Sequence, residues 1–567
     1  MKILGVSHDV HICSACVVDD GRVVVAIAEE RLDRVKQSRV FPVRAIEECL
    51  RVAGSTLAEI DEIAVGWNPG IDAETIPAGY LTGRRWRAEH FMQVPSRFLH
   101  LAREHASSRI SMTDLWQGAP PLTYIDHYKA HIGNGVFLSP YEECAVLLLD
   151  GRAERQTGLL GRARGANIEV LDEILFPHSL GMFYGAVTEF LGYRQDSDEW
   201  KVMALAACAD ANNEYLEPMR RLVHVEEDGT FSLALDYFAY YNFSDPRWYS
   251  DRFVRVFGPP RTRQEELTDR HKRIAAALQR VFEESITKIL RSLHRRTGLS
   301  KLAVSGGCFM NSVFNGKITG VSPFEECFIS SCPDDSGTSV GAALYLHAQR
   351  TGERPKSGPS HNYWGLSFSD EECLQAVKRY RLPNATVVNN PSSEAARDLV
   401  AGRLVGWFQD RAEFGQRALG NRSILADPRR ADAKDTINAA VKYRETFRPF
   451  APAILAERVN EYFECAPGTR VPFMEKVFPF RTEKRGQVPA VVHADGTGRL
   501  QTVDQHSSPR YRELILEFDR LTGVPIVLNT SFNLNGEPIV NSPEDAIRTF
   551  YSCGLDVLYL GNVRIAK

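Results

Sequence analysis

His127 and His131 lie four residues apart in the sequence. On a helix this spacing puts both imidazoles on one face, a turn apart. Two such nitrogens can hold one metal ion, and a carboxylate from elsewhere would complete a two-histidine, one-carboxylate set, which suits Fe(II) among others. Two aspartates close apolar or turn-like runs and could supply it: Asp150, after Ala145 to Leu149, and Asp335, in Pro333-Asp-Asp-Ser-Gly337. The histidine pair alone fits capping or surface residues equally well.

Two glycine turns offer a second chemistry. Val304-Ser305-Gly306-Gly307, followed by Asn311, has the form of a strand-to-helix turn whose backbone N–H groups could approach an anion. Asp335-Ser-Gly337-x-x-x-Gly341 repeats that form. Glycines at such turns are also often only steric. A third constellation is basic and polar. Glu413-Phe-Gly-Gln-Arg417-Ala-Leu-Gly-Asn421-Arg422-Ser423 is followed by Lys442, Arg444, Arg448, His493 and Arg499. Planar guanidiniums suit bidentate phosphate recognition. The apolar run Val524–Leu528 leads into Asn529, Ser531 and Asn533, polar groups expected at the carboxyl end of a strand, where α/β proteins bind ligands. A salt-bridged surface is the plainer alternative.

The elements that must position these residues read as mixed α/β. Apolar runs flank Asp19-Asp20-Gly21 as a hairpin, residues 42–54 have helical spacing, and Glu62 to Val65 reads as a strand. A second strand opening of the same form ends at Asp150-Gly151, which suggests a duplicated domain. Residues 266–298 carry a long amphipathic helical pattern, and Lys301 to Val304 a strand. Residues 351–362 are rich in Gly, Pro and Ser and read as the linker, after which a second αβ region starts near residue 369 and runs to the end. Residues 67–120 read as a largely helical insertion, either a solvated surface or a lip for an acceptor. The aromatic segment 209–262 could stack on an acceptor or form a packed subdomain.

A chain of 567 residues has room for several cores, at roughly 100–200 residues per domain. Net charge is −4, so a phosphate-backbone partner is not the default. No apolar run approaches the roughly 20 residues needed to span a bilayer. The start lacks a signal-peptide core, so the expectation is a cytoplasmic protein with no membrane partner. The cysteines number 11 and are scattered; Cys13-Ser-Ala-Cys16 reads as small-residue packing rather than redox or zinc chemistry.

Several stretches, in order, resemble one family over nearly the whole chain. They are Phe176-Pro-His-Ser-Leu-Gly-Met-Phe-Tyr184, Glu199-Trp-Lys-Val-Met-Ala-Leu-Ala206, Phe414 to Arg429, Phe447 to Pro452, and Leu521 to Asp545. The sequence is similar to the NodU/CmcH-type O-carbamoyltransferases. That resemblance implies an α/β chain with a duplicated actin-like (ASKHA), TsaD-like domain over 1–355, a linker over 356–368, and a YrdC-like domain over 369–567. The YrdC-like part would make carbamoyladenylate from the cosubstrates ATP, with Mg(II), and carbamoyl phosphate. The TsaD-like part would pass the carbamoyl group to an acceptor hydroxyl, giving a carbamate ester and AMP. The acceptor would be a small-molecule natural product, as in antibiotic tailoring, with no nucleic-acid partner and with a homodimer entertained.

By motif, His127, His131 and Asp335 match the metal ligands, with Asp150 a fourth and Fe(II) the implied metal. Gly306, Gly307 and Asn311 match the nucleotide loop, with Glu199 and Lys201 nearby. His11 matches a histidine placed beside the acceptor. Arg417, Lys442, Arg448, Arg499, Asn529 and Ser531 match the activation pocket, which Arg422, Ser423 and His493 extend. One departure stands out. The family usually reads His-Asp and then a small residue, whereas this chain reads Val10-His11-Ile12-Cys13. Ile12 cannot orient His11, and Asp9 is the nearest substitute. Transfer to a tRNA or a protein, an actin-like kinase, and a silent nucleotide sensor are the competing readings.

Overall fold

The computed structural model describes residues 1–8, 10–69, 120–242, 246–356, 361–442, 448 and 450–567. Asp9, Arg444, Phe243 and nearly all of the 67–120 insertion lie outside the described residues. The chain forms two compact units. The first comprises Met1–Glu29, Ser38–Asn311 and Ile318–Gly358; the second comprises Glu30–Gln37, Ser312–Lys317 and Pro359–Lys567. Two short segments, Glu30–Gln37 and Ser312–Lys317, therefore fold with the second unit although the chain around each belongs to the first. Arg31 and Arg34 fix one of them, donating to the carbonyls of Gly415 and of Pro538 and Ile539.

The first unit contains the same sheet twice. In one copy β1 (Lys2–Ser7), β2 (Ser14–Asp19) and β3 (Arg22–Ala28) form an antiparallel meander, and β4 (Glu62–Val65) and β5 (Leu122–Tyr124) add in parallel, in the order β3-β2-β1-β4-β5. In the other, β6 (Glu143–Leu149), β7 (Gln156–Arg164) and β8 (Asn167–Leu175) form the meander. A short separate hairpin, β9 (Val223–Val225) and β10 (Phe231–Leu233), precedes β11 (Lys301–Ser305) and β12 (Glu326–Ile329), and the order is β12-β11-β6-β7-β8. The duplicated opening in the sequence is this repeated order. β1 and β6 are buried almost end to end, as strands covered on both faces must be.

Glycines set how closely helices can pack in this unit. The helices His127–Phe137 and Thr338–Thr351 cross where Gly133 meets Gly341. A Cβ at Gly341 would lie 1.8 Å from the Ala130 carbonyl oxygen, and one at Gly133 would lie 2.3 Å from that of Gly341. No side chain fits there, so the helices approach backbone to backbone. The long amphipathic pattern is the helix Asp269–Thr297, ended by Gly298 in the left-handed region. The aromatic segment is a packed subdomain: Phe238, Tyr240, Tyr249, Phe253 and Phe257 are buried against one another and against Phe183 and Phe190.

The second unit is built on a mixed sheet. Its strands are β13 (Ala385–Val387), β14 (Val405–Phe408), β15 (Arg422–Ala426), β16 (Ala451–Leu455), β17 (Lys476–Pro479), β18 (Thr497–Val503), β19 (Ile526–Ser531), β20 (Val557–Leu560) and β21 (Val563–Ala566). Their order is β13-β21-β20-β14-β15-β19-β16-β18-β17. Asn529 and Ser531 lie at the carboxyl end of a strand, as expected, but the strand runs through Ser531 rather than stopping at Leu528: Asn529 pairs with Leu425 and Ala451, and Ser531 with Ser423. Their alternate positions put both side chains on one face of the sheet.

Candidate active site

His127 and His131 occupy the first turns of the helix His127–Phe137 and are buried. Their Nε2 atoms are 3.1 Å apart. Asp335, at the start of the turn leading into the helix Thr338–Thr351, places Oδ1 3.3 Å from His127 Nε2 and 3.4 Å from His131 Nε2. Asp150, just past β6, places Oδ2 3.9 and 3.6 Å from the same two nitrogens. All four donor atoms lie within 4.8 Å of one another. Donors about 2.0–2.2 Å from a shared centre have edges of about this length, so the set fits a divalent ion.

Neighbouring groups aim these donors. His127 Nδ1 donates to the Gly66 carbonyl at 3.0 Å, which turns Nε2 toward the other three donors. Glu154 accepts from the His127 N–H at 2.9 Å and from the Asn68 N–H at 2.7 Å, so it caps the histidine helix where the side chain of Asp126 does not. Asp150 Oδ1 accepts from the Gly307 N–H at 2.8 Å. Charge favours a cation as well. Burial opposes charging His127, but Asp335 and Asp150 outweigh it and raise the imidazole to about 9. Burial likewise opposes charge on Asp335, yet hydrogen bonds from both histidines hold it well below the usual carboxylate range.

The glycine turns are packed tightly against the protein's own backbone. Gly306 has φ +99°, and a Cβ there would lie 2.2 Å from the Leu149 carbonyl oxygen. Its role is close approach between β11 and β6, which brings the Gly307 N–H onto Asp150. Gly337 and Gly341 are steric in the same sense, meeting the carbonyls of Cys332 and Ala130. Asn311 exchanges amide hydrogen bonds with Gln279 at 2.9 and 3.1 Å. Lys201 pairs with Asp198 at 2.9 Å. Glu199 is half-buried; removal from water, with repulsion from Asp196, raises its carboxyl to about 7.

His11 stands beside the metal ligands. Its backbone N–H donates to Asp335 Oδ2 at 3.1 Å, so the two oxygens of Asp335 divide between the histidine pair and this loop. Its ring faces Asp196 and Arg39, two residues that the motif reading did not single out. Asp196 was hidden in the acidic run before the helix Glu199–Ala206, which reads as ordinary dipole compensation. Glu154 carried no sequence signal, since its partners are backbone N–H groups. Ile12 is buried. Cys13 and Cys16 are buried and unbridged, and burial pushes the Cys16 thiol up to about 12.

In the second unit, Lys442 is buried with its ammonium 2.6 Å from the Ser531 carbonyl oxygen and 2.7 Å from Asn533 Oδ1. Arg499 Nε donates to the Met474 carbonyl at 2.7 Å. Removal from water, and then the charge of Arg417, lower the Arg499 guanidinium well below its ordinary value, with Glu475 opposing. Burial, with Arg499 and Lys434 adding repulsion, depresses His493 to about 4. His493 Nδ1 is 3.0 Å from Thr497 Oγ1, while Nε2 has no partner among the described residues. Asn529 donates to Gln501 and to the Ala418 carbonyl. Arg448 is half-buried.

Two of the expected pocket residues are engaged elsewhere. Arg422 is fully buried and donates to the carbonyls of Gln409, Asn421, Asp410 and Leu366, with its guanidinium 3.7 Å from the Phe408 ring centre. Ser423 is buried and accepts from the Gly420 N–H. Both brace the start of β15 and the turn before it.

Among the described residues no helix is long and apolar enough to cross a membrane. Residues 2–344 match the carbamoyltransferase N-terminus family and residues 396–567 the carbamoyltransferase C-terminus family. Nodulation protein NolNO of Sinorhizobium fredii is 35% identical over 574 residues, covering 98% of this chain and 79% of that protein. Nodulation protein NolO of Bradyrhizobium diazoefficiens is 36% identical over 446 residues, covering 78% of this chain and 79% of the relative. Among solved structures, HypF of T. kodakarensis is 12% identical with a TM-score of 0.33, over 62% of this chain and 48% of that one. With both family halves matched in order along its length, this chain belongs to the carbamoyltransferase family of enzymes.

Proposed function

We propose that the protein is an ATP-dependent O-carbamoyltransferase acting on a hydroxyl of a small-molecule natural product. The second unit forms carbamoyladenylate from carbamoyl phosphate and ATP, with Mg(II) accompanying the nucleotide. The first unit transfers the carbamoyl group to the alcohol. One contrast carries the reading: each unit holds a charged site, and the two are opposite in kind. Lys442 with Arg417 and Arg499 gathers cationic donors suited to two phosphate-bearing substrates. His127, His131, Asp150 and Asp335 gather donors suited to a divalent cation.

Carbamate is a poor electrophile, and adenylation gives it a good leaving group. In the second unit Lys442, Arg417 and Arg499 offset the negative charge of the reacting phosphates. In the first unit His127, His131, Asp150 and Asp335 would hold a divalent metal, with Fe(II) the proposed ion. When bound it supplies Lewis-acid stabilisation of charge on a phosphoryl oxygen. An alcohol is a weak nucleophile, and His11 beside Asp335 is the residue placed to take its proton. Incubation with ATP and carbamoyl phosphate, without any acceptor, should release pyrophosphate and yield carbamoyladenylate by mass spectrometry. Absence of both products from the metal-loaded protein would refute the activation half-reaction.

A further inference from the structure

His11 has an apolar neighbour, Ile12, where a carboxylate might orient it, yet its ring is not left to itself. Nε2 lies 3.2 Å from Asp196 Oδ2. Arg39 Nη2 lies 3.0 Å from Nδ1 and 3.2 Å from Nε2. A carboxylate can only accept and a guanidinium can only donate. One Arg39 nitrogen this close to both ring nitrogens lies over the ring face, so the acceptor Asp196 alone sets the tautomer: in the neutral ring Nε2 carries the hydrogen, facing Asp196, and Nδ1 has the lone pair.

Asp196 has φ +56°, in the left-handed region that costs most side chains about 1 kcal/mol or more. Glycine would occupy it freely. The backbone is held there by its N–H, which donates to Glu199 Oε1 at 2.7 Å. Aspartate enters this region more readily than most side chains, and from it the Asp196 carboxylate reaches the ring of His11.

Resting on the alcohol-activating role of His11 given above, we propose that Asp196 is the positioning residue for His11: it holds the ring in the Nε2–H tautomer and so makes Nδ1 the nitrogen that receives the acceptor proton. As the alcohol oxygen bonds to the carbamoyl carbon, its proton passes to Nδ1. The bond from that carbon to the adenylate phosphate oxygen breaks, and AMP leaves with the electron pair. Nε2–H remains on Asp196 throughout, and Nδ1 later returns its proton to water. The carboxylate missing beside His11 in sequence is thus supplied from the loop before the helix Glu199–Ala206.

The test uses full-length wild type, Asp196→Asn, Asp196→Gly and His11→Asn. Asp196→Gly removes the left-handed strain, so loss of the fold is not at issue. Two-bond ¹H–¹⁵N spectra of the imidazoles, assigned through His11→Asn, should show His11 as Nε2–H in wild type and as a tautomer mixture in both Asp196 variants. With carbamoyladenylate as substrate and water as surrogate alcohol, AMP release should fall about 10–100-fold in kcat at unchanged KM. Carbamoyladenylate synthesis should be unaffected. A wild-type ring protonated on Nδ1 overturns the inference whatever the activity, as does an unchanged tautomer in Asp196→Gly. If His11→Asn releases AMP at the wild-type rate, the role of His11 as base fails instead. If only His11→Asn is impaired, that role stands and the positioning role of Asp196 does not.

Discussion

Replacing Gly341 by alanine should empty the proposed metal site without touching a ligand. The new Cβ would lie 1.8 Å from the Ala130 carbonyl oxygen, 2.8 Å from the Ala130 carbonyl carbon and 2.7 Å from the Asn134 nitrogen. All three are backbone atoms of the helix that carries His127 and His131, so no side chain can swing aside. Reaching ordinary contact requires about 1.5 Å of separation between the two helices. Asp335 enters the helix that must move, and its Oδ1 is now 3.3 Å from His127 Nε2. Metal–ligand bonds tolerate about 0.2 Å, so such a shift removes Asp335 from the set. The overpacking itself costs about 1–3 kcal/mol, which a chain of this size survives. Gly320→Ala, with open space around its Cβ, is the matched control. Metal content of the purified proteins, with circular dichroism to verify folding, is the assay. Gly341→Ala should retain the fold and lose the ion, while Gly320→Ala keeps both. A folded Gly341→Ala protein with full metal occupancy would show that the helix crossing does not set the ligand geometry.

Four further outcomes follow from the same geometry. Wild-type protein should carry about one divalent ion, lost in His127→Ala; full occupancy in that variant rejects the four-donor site. Glu154→Gln should weaken metal binding by about 10–100-fold in a competition titration, because the cap that holds the histidine helix loses its charge; unchanged affinity would make Glu154 a bystander. Lys442→Ala should abolish carbamoyladenylate formation but keep transfer from supplied carbamoyladenylate, and loss of both steps would sink the division of labour. Glu199 titrates at about 7 in the fold against 4.5 ordinarily, chiefly through removal from water, so stability falls as pH rises between those values. Glu199→Gln escapes that loss, and its advantage over wild type in denaturant unfolding should grow by roughly 1–2.5 kcal/mol from pH 5 to pH 8, the lower end reflecting partial exposure; a pH-independent difference contradicts the shift.

The fold was legible where one-dimensional pattern controls it. The hairpin at Asp19–Gly21, the strand Glu62–Val65 and the helix Asp269–Thr297 each obey a local period and a local stop signal. The duplication was legible from two similar openings, because each sheet repeats the same strand order. Asn529 and Ser531 were expected at the carboxyl end of a strand and stand in the last rungs of β19's ladder, Asn529 paired on both sides and Ser531 with Ser423 alone; what the sequence did not show is that the strand itself runs on through them. The transfer of Glu30–Gln37 and Ser312–Lys317 to the second unit leaves no mark in sequence, since it rests on long-range contacts of a few residues.

Side-chain chemistry was legible in proportion to how little its partners matter. The four candidate metal donors stand out by type, and only their convergence needed the structure. The guanidiniums do not. Arg417 and Arg422 are equal in any reading of charge, yet Arg422 is closed off by four backbone carbonyls while Arg417 acts on Arg499. Glycine is ambiguous in another way: an anion loop and a close backbone approach both require a missing Cβ, and at Gly306, Gly337 and Gly341 the protein's own backbone makes such an approach. The same logic explains how Ile12 can stand beside His11. A local carboxylate is only one way to fix an imidazole, and Asp196 does it from a loop distant in sequence, at a backbone angle that sequence does not display. Substitutions that look like losses in a motif therefore have to be judged against what the fold brings to the same atom.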